Sequence, residues 1–125
     1  MKEQIKTDKA PAAIGTYSQA IKTGNLVFIS GQIPLDPTTM EVVDGGIEGE
    51  ITQAFANLRA VAEAAGGDLN KIVKVNVYLI DLAHFGLVNA EMTKLFSEPF
   101  PARAAIQAAA LPKGVQVEVE AVMAV

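Results

Sequence analysis

The chain has 125 residues, 50% of them hydrophobic, a mean hydropathy of +0.30, a formal net charge of −4 and no cysteine. A chain of this size makes one domain, 1–125, burying about 65–70% of its unfolded surface. Disulfide and thiolate chemistry, a spanning helix of ~20 apolar residues and a basic nucleic-acid footprint are all excluded as expectations, since Lys22, Lys71, Lys74, Lys94 and Lys113 are scattered and the pI is 4.9.

The first ten residues, MKEQIKTDKA, carry charges and no apolar stretch, so no secretory signal is expected and the protein is expected to be cytoplasmic. Residues 3–7 suit a short edge strand. Pro11 and Gly15 mark a loop. Residues 17–23, Gly24-Asn25 and residues 26–32 read as strand, turn, strand. In the second strand Leu26, Phe28 and Ser30 alternate with Val27, Ile29 and Gly31. Pro34 and Pro37 end it, and a loop runs to Gly45-Gly46.

Residues 48–65 form the first predicted helix, with Ile47, Ile51, Phe55, Leu58, Ala62 and Ala65 as one apolar stripe and Gly66-Gly67 as its stop. Residues 71–80 alternate as a strand, with Val73, Val75, Val77 and Leu79 against Lys74, Asn76 and Tyr78. Residues 82–96 are the second helix, with Asp81 as N-cap and Phe85, Val88, Met92 and Phe96 as its stripe. Residues 103–109 place Arg103, Ala105 and Gln107 on one strand face. Residues 116–125 place Val117, Val119, Ala121 and Met123 on one face and Glu118 and Glu120 on the other.

The order β-β-α-β-α-β-β is that of an α+β domain with both helices on one side of a four- to six-stranded sheet. The uncovered face is expected to carry Lys74, Asn76, Arg103, Gln107, Glu118 and Glu120 among Ala105, Val122 and Ala124. Such a face is too polar for a core and suits a subunit interface with a polar pocket; the apolar excess of so small a domain also points to an oligomer.

Chemistry concentrates in residues 101–121. The chain has two arginines. Arg59 lies on an ordinary solvated helix face, whereas Arg103 opens a run of small apolar residues and needs an acceptor. That acceptor is either internal, as in a structural pair with Glu118, or a bound carboxylate. Glu118 and Glu120 share a strand face at i, i+2, roughly 7 Å apart; one paired and one solvated carboxylate is the ordinary reading. Ser18 and Ser30 read as turn or edge hydrogen-bonders, Asn89 as a solvent-facing helix residue, and His84, the only histidine, as a helix-end residue. No catalytic triad, metal-ligand cluster or phosphate loop is present in the pattern.

Three segments carry a resemblance. PARAAIQAAALPKGVQVEVEA resembles the C-terminal signature of the RidA/YjgF family of enamine/imine deaminases. GTYSQAIKTGNLVFISGQIPLDP resembles its N-terminal segment, and VNVYLIDLAHFGLVNAEM its central strand and helix, with Asp-Leu-x-x-Phe and Val-Asn. The resemblance implies a chorismate-mutase-like fold, a homotrimer with ligand clefts between subunits, and hydrolysis of 2-aminoacrylate or 2-aminocrotonate, through the 2-imino acids, to 2-oxo acids and ammonia. It implies no metal or organic cofactor. By position, Arg103 clamps the substrate carboxylate, the Gly31 N–H adds a donor, and Glu118 positions and deprotonates water. Tyr17, Ser30, Asn89 and Ala105 line the cleft. The chain departs from the pattern at Ala105, where deaminating members often have cysteine, serine or threonine, and at Thr16, where proline is common. A carboxylate-binding module without turnover, and an endoribonuclease, are the alternative readings.

Overall fold

The computed structural model describes residues Met1–Val125. Six strands form one sheet: β1 Lys2–Ile5, β2 Ala20–Thr23, β3 Leu26–Gln32, β4 Ile72–Leu79, β5 Ala102–Gln107 and β6 Val117–Ala124, in the order β1-β2-β3-β6-β4-β5. Every neighbouring pair is antiparallel except β4 and β5. The β2–β3 turn is tight because Gly24 adopts a left-handed φ of 59°, a conformation that costs glycine little.

Helix α1, Gly46–Ala64, and helix α2, Phe85–Leu95, cover one face. Their apolar stripes meet the inward residues of the sheet: Ile51, Phe55, Leu58 and Val61 of α1 and Val88 and Met92 of α2 share a buried core with Val27, Val75, Val77, Leu79, Val117, Val119 and Met123. Phe55 and Phe96 meet edge to face with centroids 6.2 Å apart. Truncating Phe55 or Leu58 to alanine costs about 2–5 kcal/mol by the cavity it leaves. A single 3-10 turn, Leu82–His84, precedes α2, and Asp81 caps it by accepting from the Ala83 N–H at 2.9 Å.

The buried polar groups lock loops to this frame. Asn57 donates to the carbonyls of Ile33 and Leu35, both at 3.0 Å, which fastens the segment after β3 onto α1. Glu50 accepts from the Gln116 N–H at 2.7 Å and from its side chain at 3.1 Å, fixing the start of β6. Gln19 accepts from the Thr7 N–H and donates to the carbonyls of Thr7, Ala10 and Pro11, which anchors the N-terminal loop. Left unpaired, each of these buried groups would cost about 1–3 kcal/mol.

Three face assignments differ from the sequence expectation. The β3–β6 register shifts between Ile29 and Gln32, so Gly31 leaves the face of Val27 and Ile29 and lies under Glu118. The β4–β6 register shifts between Ile72 and Lys74, so Ile72 enters the core and Val73 is exposed. A bulge of this kind breaks strict alternation. The largest correction concerns β5, whose Arg103, Ala105 and Gln107 pair with Val75, Val77 and Leu79. Paired residues share a face, so these three lie on the helix side of the sheet and not with Glu118 and Glu120. Arg103 stays exposed there because β5 is an edge strand. Gln107 accepts from the Leu82 N–H at 3.0 Å.

Candidate functional site

The site residues fall into two half-sites. The first is built on β5 and α2. Arg103 donates through Nη1 to Asn89 Oδ1 at 3.0 Å and contacts Met92 Sδ at 3.7 Å, and its guanidinium carbon stands 4.6 Å from the centroid of the Phe85 ring. Phe85, Asn89 and Met92 follow one another at four and three residues, so one helix face presents ring, amide and thioether together. With Nη1 held inward, Nη2 and Nε form a planar fork, the geometry that takes a carboxylate with two parallel hydrogen bonds. Arg103, Asn89, Met92, Thr93, Phe100 and Pro101 line a cavity of about 300 Å³.

The second half-site lies on the open face, where β3 and β6 meet. A cavity of about 590 Å³ is lined there by Tyr17, Ser30, Gly31, Lys113, Glu118 and Glu120, with apolar walls from Ile14, Ile33, Leu35 and Met40. Ser30 Oγ donates to the Ser18 carbonyl at 2.5 Å, which ties the Tyr17 loop to β3. The Glu118 side chain lies across Gly31 so closely that a Cβ there would overlap its carboxylate, with Cδ at 2.9 Å. A side chain at 31 would displace the Glu118 carboxylate from this position, although the backbone angle there does not itself call for glycine.

The two carboxylates differ in environment. Glu120 Oε1 accepts from the Tyr78 hydroxyl and from Asn76 Nδ2, the latter at 3.3 Å. The hydrogen bond to Glu120, helped by burial and by the charges of Glu120 and Glu118, pushes the Tyr78 phenol up to about 12. Glu118 is half-buried and has no ion-pair partner, the one ion pair of the chain being Lys94 with Glu91. Burial first, and the neighbouring Glu120 charge second, hold its carboxyl above the ordinary carboxylate range.

Arg103 and Asn89 thus come together, as do Tyr17, Ser30, Gly31 and Glu118, but the two groups sit on opposite faces of the sheet. An internal Arg103–Glu118 pair is ruled out by this placement. Ala105 is partly buried against the core and lines neither cavity. Sequence reasoning missed Phe85, Met92 and Phe100 as companions of Arg103, and Asn76 and Tyr78 as partners of Glu120. The spacing of Phe85, Asn89 and Met92 was available as a signal, but the parity of β5 was needed to read it. His84 lines neither cavity, and no three His, Asp or Glu side chains converge on a metal-sized site.

The comparisons agree with this architecture. The family model described as Endoribonuclease L-PSP matches residues 7–125. The chain is 49% identical over 122 residues to a RutC family protein of Pyrococcus horikoshii, covering 98% of this chain and 97% of that protein. It is 48% identical over 122 residues to 2-iminobutanoate/2-iminopropanoate deaminase of Mus musculus, covering 98% and 90%. The crystal structure of RidA from an Antarctic Psychrobacter matches with a TM-score of 0.95 at 54% identity, covering 98% of this chain and 99% of that one. The chain belongs to the RidA/YjgF family.

Proposed function

We propose that the protein is a 2-iminobutanoate/2-iminopropanoate deaminase whose site is completed between subunits of a homotrimer. The observation that carries this reading is the Arg103 fork, stacked on Phe85 and held by Asn89 beside a cavity, in a chain 48% identical to an enzyme of that name. A second subunit brings the open-face half-site up to the first. The Arg103 fork then holds the carboxylate of the 2-imino acid, and the Gly31 N–H supplies a further donor. Tyr17 and Ser30 close the cleft around the substrate, and Ala105 contributes main chain beside Arg103.

The imine carbon is already electrophilic, so the chemistry asks for orientation and one proton carrier. Water adds to the C=N carbon as Glu118 takes one of its protons and delivers it to the nitrogen, giving a neutral carbinolamine. Glu118 then takes the carbinolamine hydroxyl proton and passes it to the nitrogen as the C–N bond breaks and the C=O forms, and ammonia leaves with the 2-oxo acid. A carboxyl held above its ordinary range fits both halves of this exchange better than a fully solvated one. No metal or organic cofactor enters this scheme. Substrates are small 2-imino acids and the expected location is the cytoplasm; no helix of the chain is long and apolar enough to cross a membrane.

Generating 2-aminoacrylate in situ and following the imine by trapping tests the reading. The wild type is expected to remove it faster than buffer, and Arg103→Ala is expected to lose that advantage. A wild type no faster than buffer, or a fully active Arg103→Ala, contradicts it. The ribonuclease named in the family description finds less support here: the net charge is −4 and the single histidine lies outside both cavities.

A further inference from the structure

Two acidic side chains line the open-face cavity, yet only one is engaged by the protein. The β4–β6 register sets Tyr78 opposite Glu118 and Asn76 opposite Glu120. The nearer carboxylate for the Tyr78 hydroxyl by register is Glu118, but the phenol reaches along the sheet to Glu120 Oε1, where Asn76 also donates. One oxygen of Glu120 thus collects the Asn76 and Tyr78 donors. Glu118, kept over Gly31, retains its acceptor sites.

We propose that Asn76 and Tyr78 are positioning residues for the hydrolysis. By claiming Glu120 they leave Glu118 as the one carboxylate able to take a proton from water, and they fix a negative charge beside it. This rests on the deaminase reading for its catalytic part. Without the two donors Glu120 turns free, and the carboxylates compete for one proton and for the same water, as close carboxylates do. Both donors are neutral, so they hold Glu120 without cancelling its charge, which a lysine at either position would do. The other groups facing this pair are Lys74 on β4, beside Glu120, and Lys113 and Tyr17, which line the same cavity as Glu118. Arg103 of the same subunit lies on the opposite face, but in the site completed between subunits the Arg103 half-site of a second copy faces Glu118 and joins this balance, equally in all the variants compared.

The test is a side-chain carboxyl ¹³C NMR titration of wild type, Tyr78→Phe and Glu120→Gln, joined to pH–rate profiles of the same proteins. Tyr78→Phe keeps the ring, so the fold is retained, and thermal melts check this. In Glu120→Gln the Glu118 resonance is expected to titrate at lower pH than in wild type, and the acidic limb of kcat/KM to move with it. In Tyr78→Phe the Glu118 titration is expected to move from its wild-type position, and kcat to fall roughly three- to ten-fold with KM little changed. Glu118 titrating identically in all three proteins overturns the proposal. So does a Tyr78→Phe protein with a lowered melting temperature but an unmoved Glu118 titration and an unmoved kcat. A wild type without turnover sinks the deaminase reading alone, because the NMR arms still decide how the carboxylates divide.

Discussion

The guanidinium carbon of Arg103 stands 4.6 Å from the centroid of the Phe85 ring, and the same arginine donates to Asn89 one helical turn further on. Stacking and hydrogen bond together fix the plane of the fork before any ligand arrives, which removes part of the ordering cost of binding.

Phe85→Leu keeps an apolar residue at the head of α2 but removes the ring face. A cation–π contact at an exposed site is worth about 0.5–1 kcal/mol, so KM for the imine is expected to rise roughly two- to five-fold. Arg103→Lys keeps the charge and loses both the fork and the stacking. Its kcat/KM is expected to fall roughly 10- to 100-fold. Steady-state kinetics on both variants checks the order; Arg103→Lys performing like wild type would show that charge alone suffices.

Gly31→Ala places a methyl group where the Glu118 carboxylate lies. The Glu118 side chain must swing off its perch, since the new methyl would overlap its carboxylate. Activity is expected to collapse while circular dichroism stays that of the wild type. A crystal structure of Gly31→Ala with Glu118 unmoved contradicts the close-approach argument.

The Glu118 environment also carries a stability consequence. Its folded-state pKa lies above the ordinary 4.5, so the folded chain binds this proton more tightly than the unfolded chain does. Stability from this group is therefore complete below the ordinary value and is lost as pH rises through the raised one. Glu118→Gln removes the charge, so at neutral pH it is expected to raise the unfolding free energy, and at pH 3 to change it little. Melting temperatures at pH 3 and pH 7 report the difference. A variant less stable than wild type at pH 7 contradicts the sign.

Much of the fold was legible because its signals are local. The apolar stripe from Ile51 to Ala62, the Gly24 turn and the alternation of Val117 to Met123 each follow from neighbouring residues and appear where expected, whereas Asp81 caps the 3-10 turn Leu82–His84 rather than α2, which starts later, at Phe85. The face of Arg103 was not legible. Alternation along residues 102–107 says which residues share a side, not which side it is, and small alanines at both parities leave the choice open. The parallel pairing with β4 decides it, and that is a tertiary fact. The bulge at Val73 hid for the same reason, since Ile72-Val73 reads as an unbroken apolar pair. The division between Glu118 and Glu120 also needed the cross-strand positions of Asn76 and Tyr78.

Arg103 and Glu118 leave opposite faces of one sheet, so the proposed site takes its arginine from one subunit and its glutamate from another. Complementation tests this most directly. Arg103→Ala and Glu118→Gln proteins are each expected to be inactive. Unfolded together and refolded as mixed trimers, they regain sites that pair an intact Arg103 with an intact Glu118 across an interface. For random equimolar mixing the recovered activity is expected to be about one quarter of wild type. Mixed trimers as inactive as the separate variants would contradict the shared site.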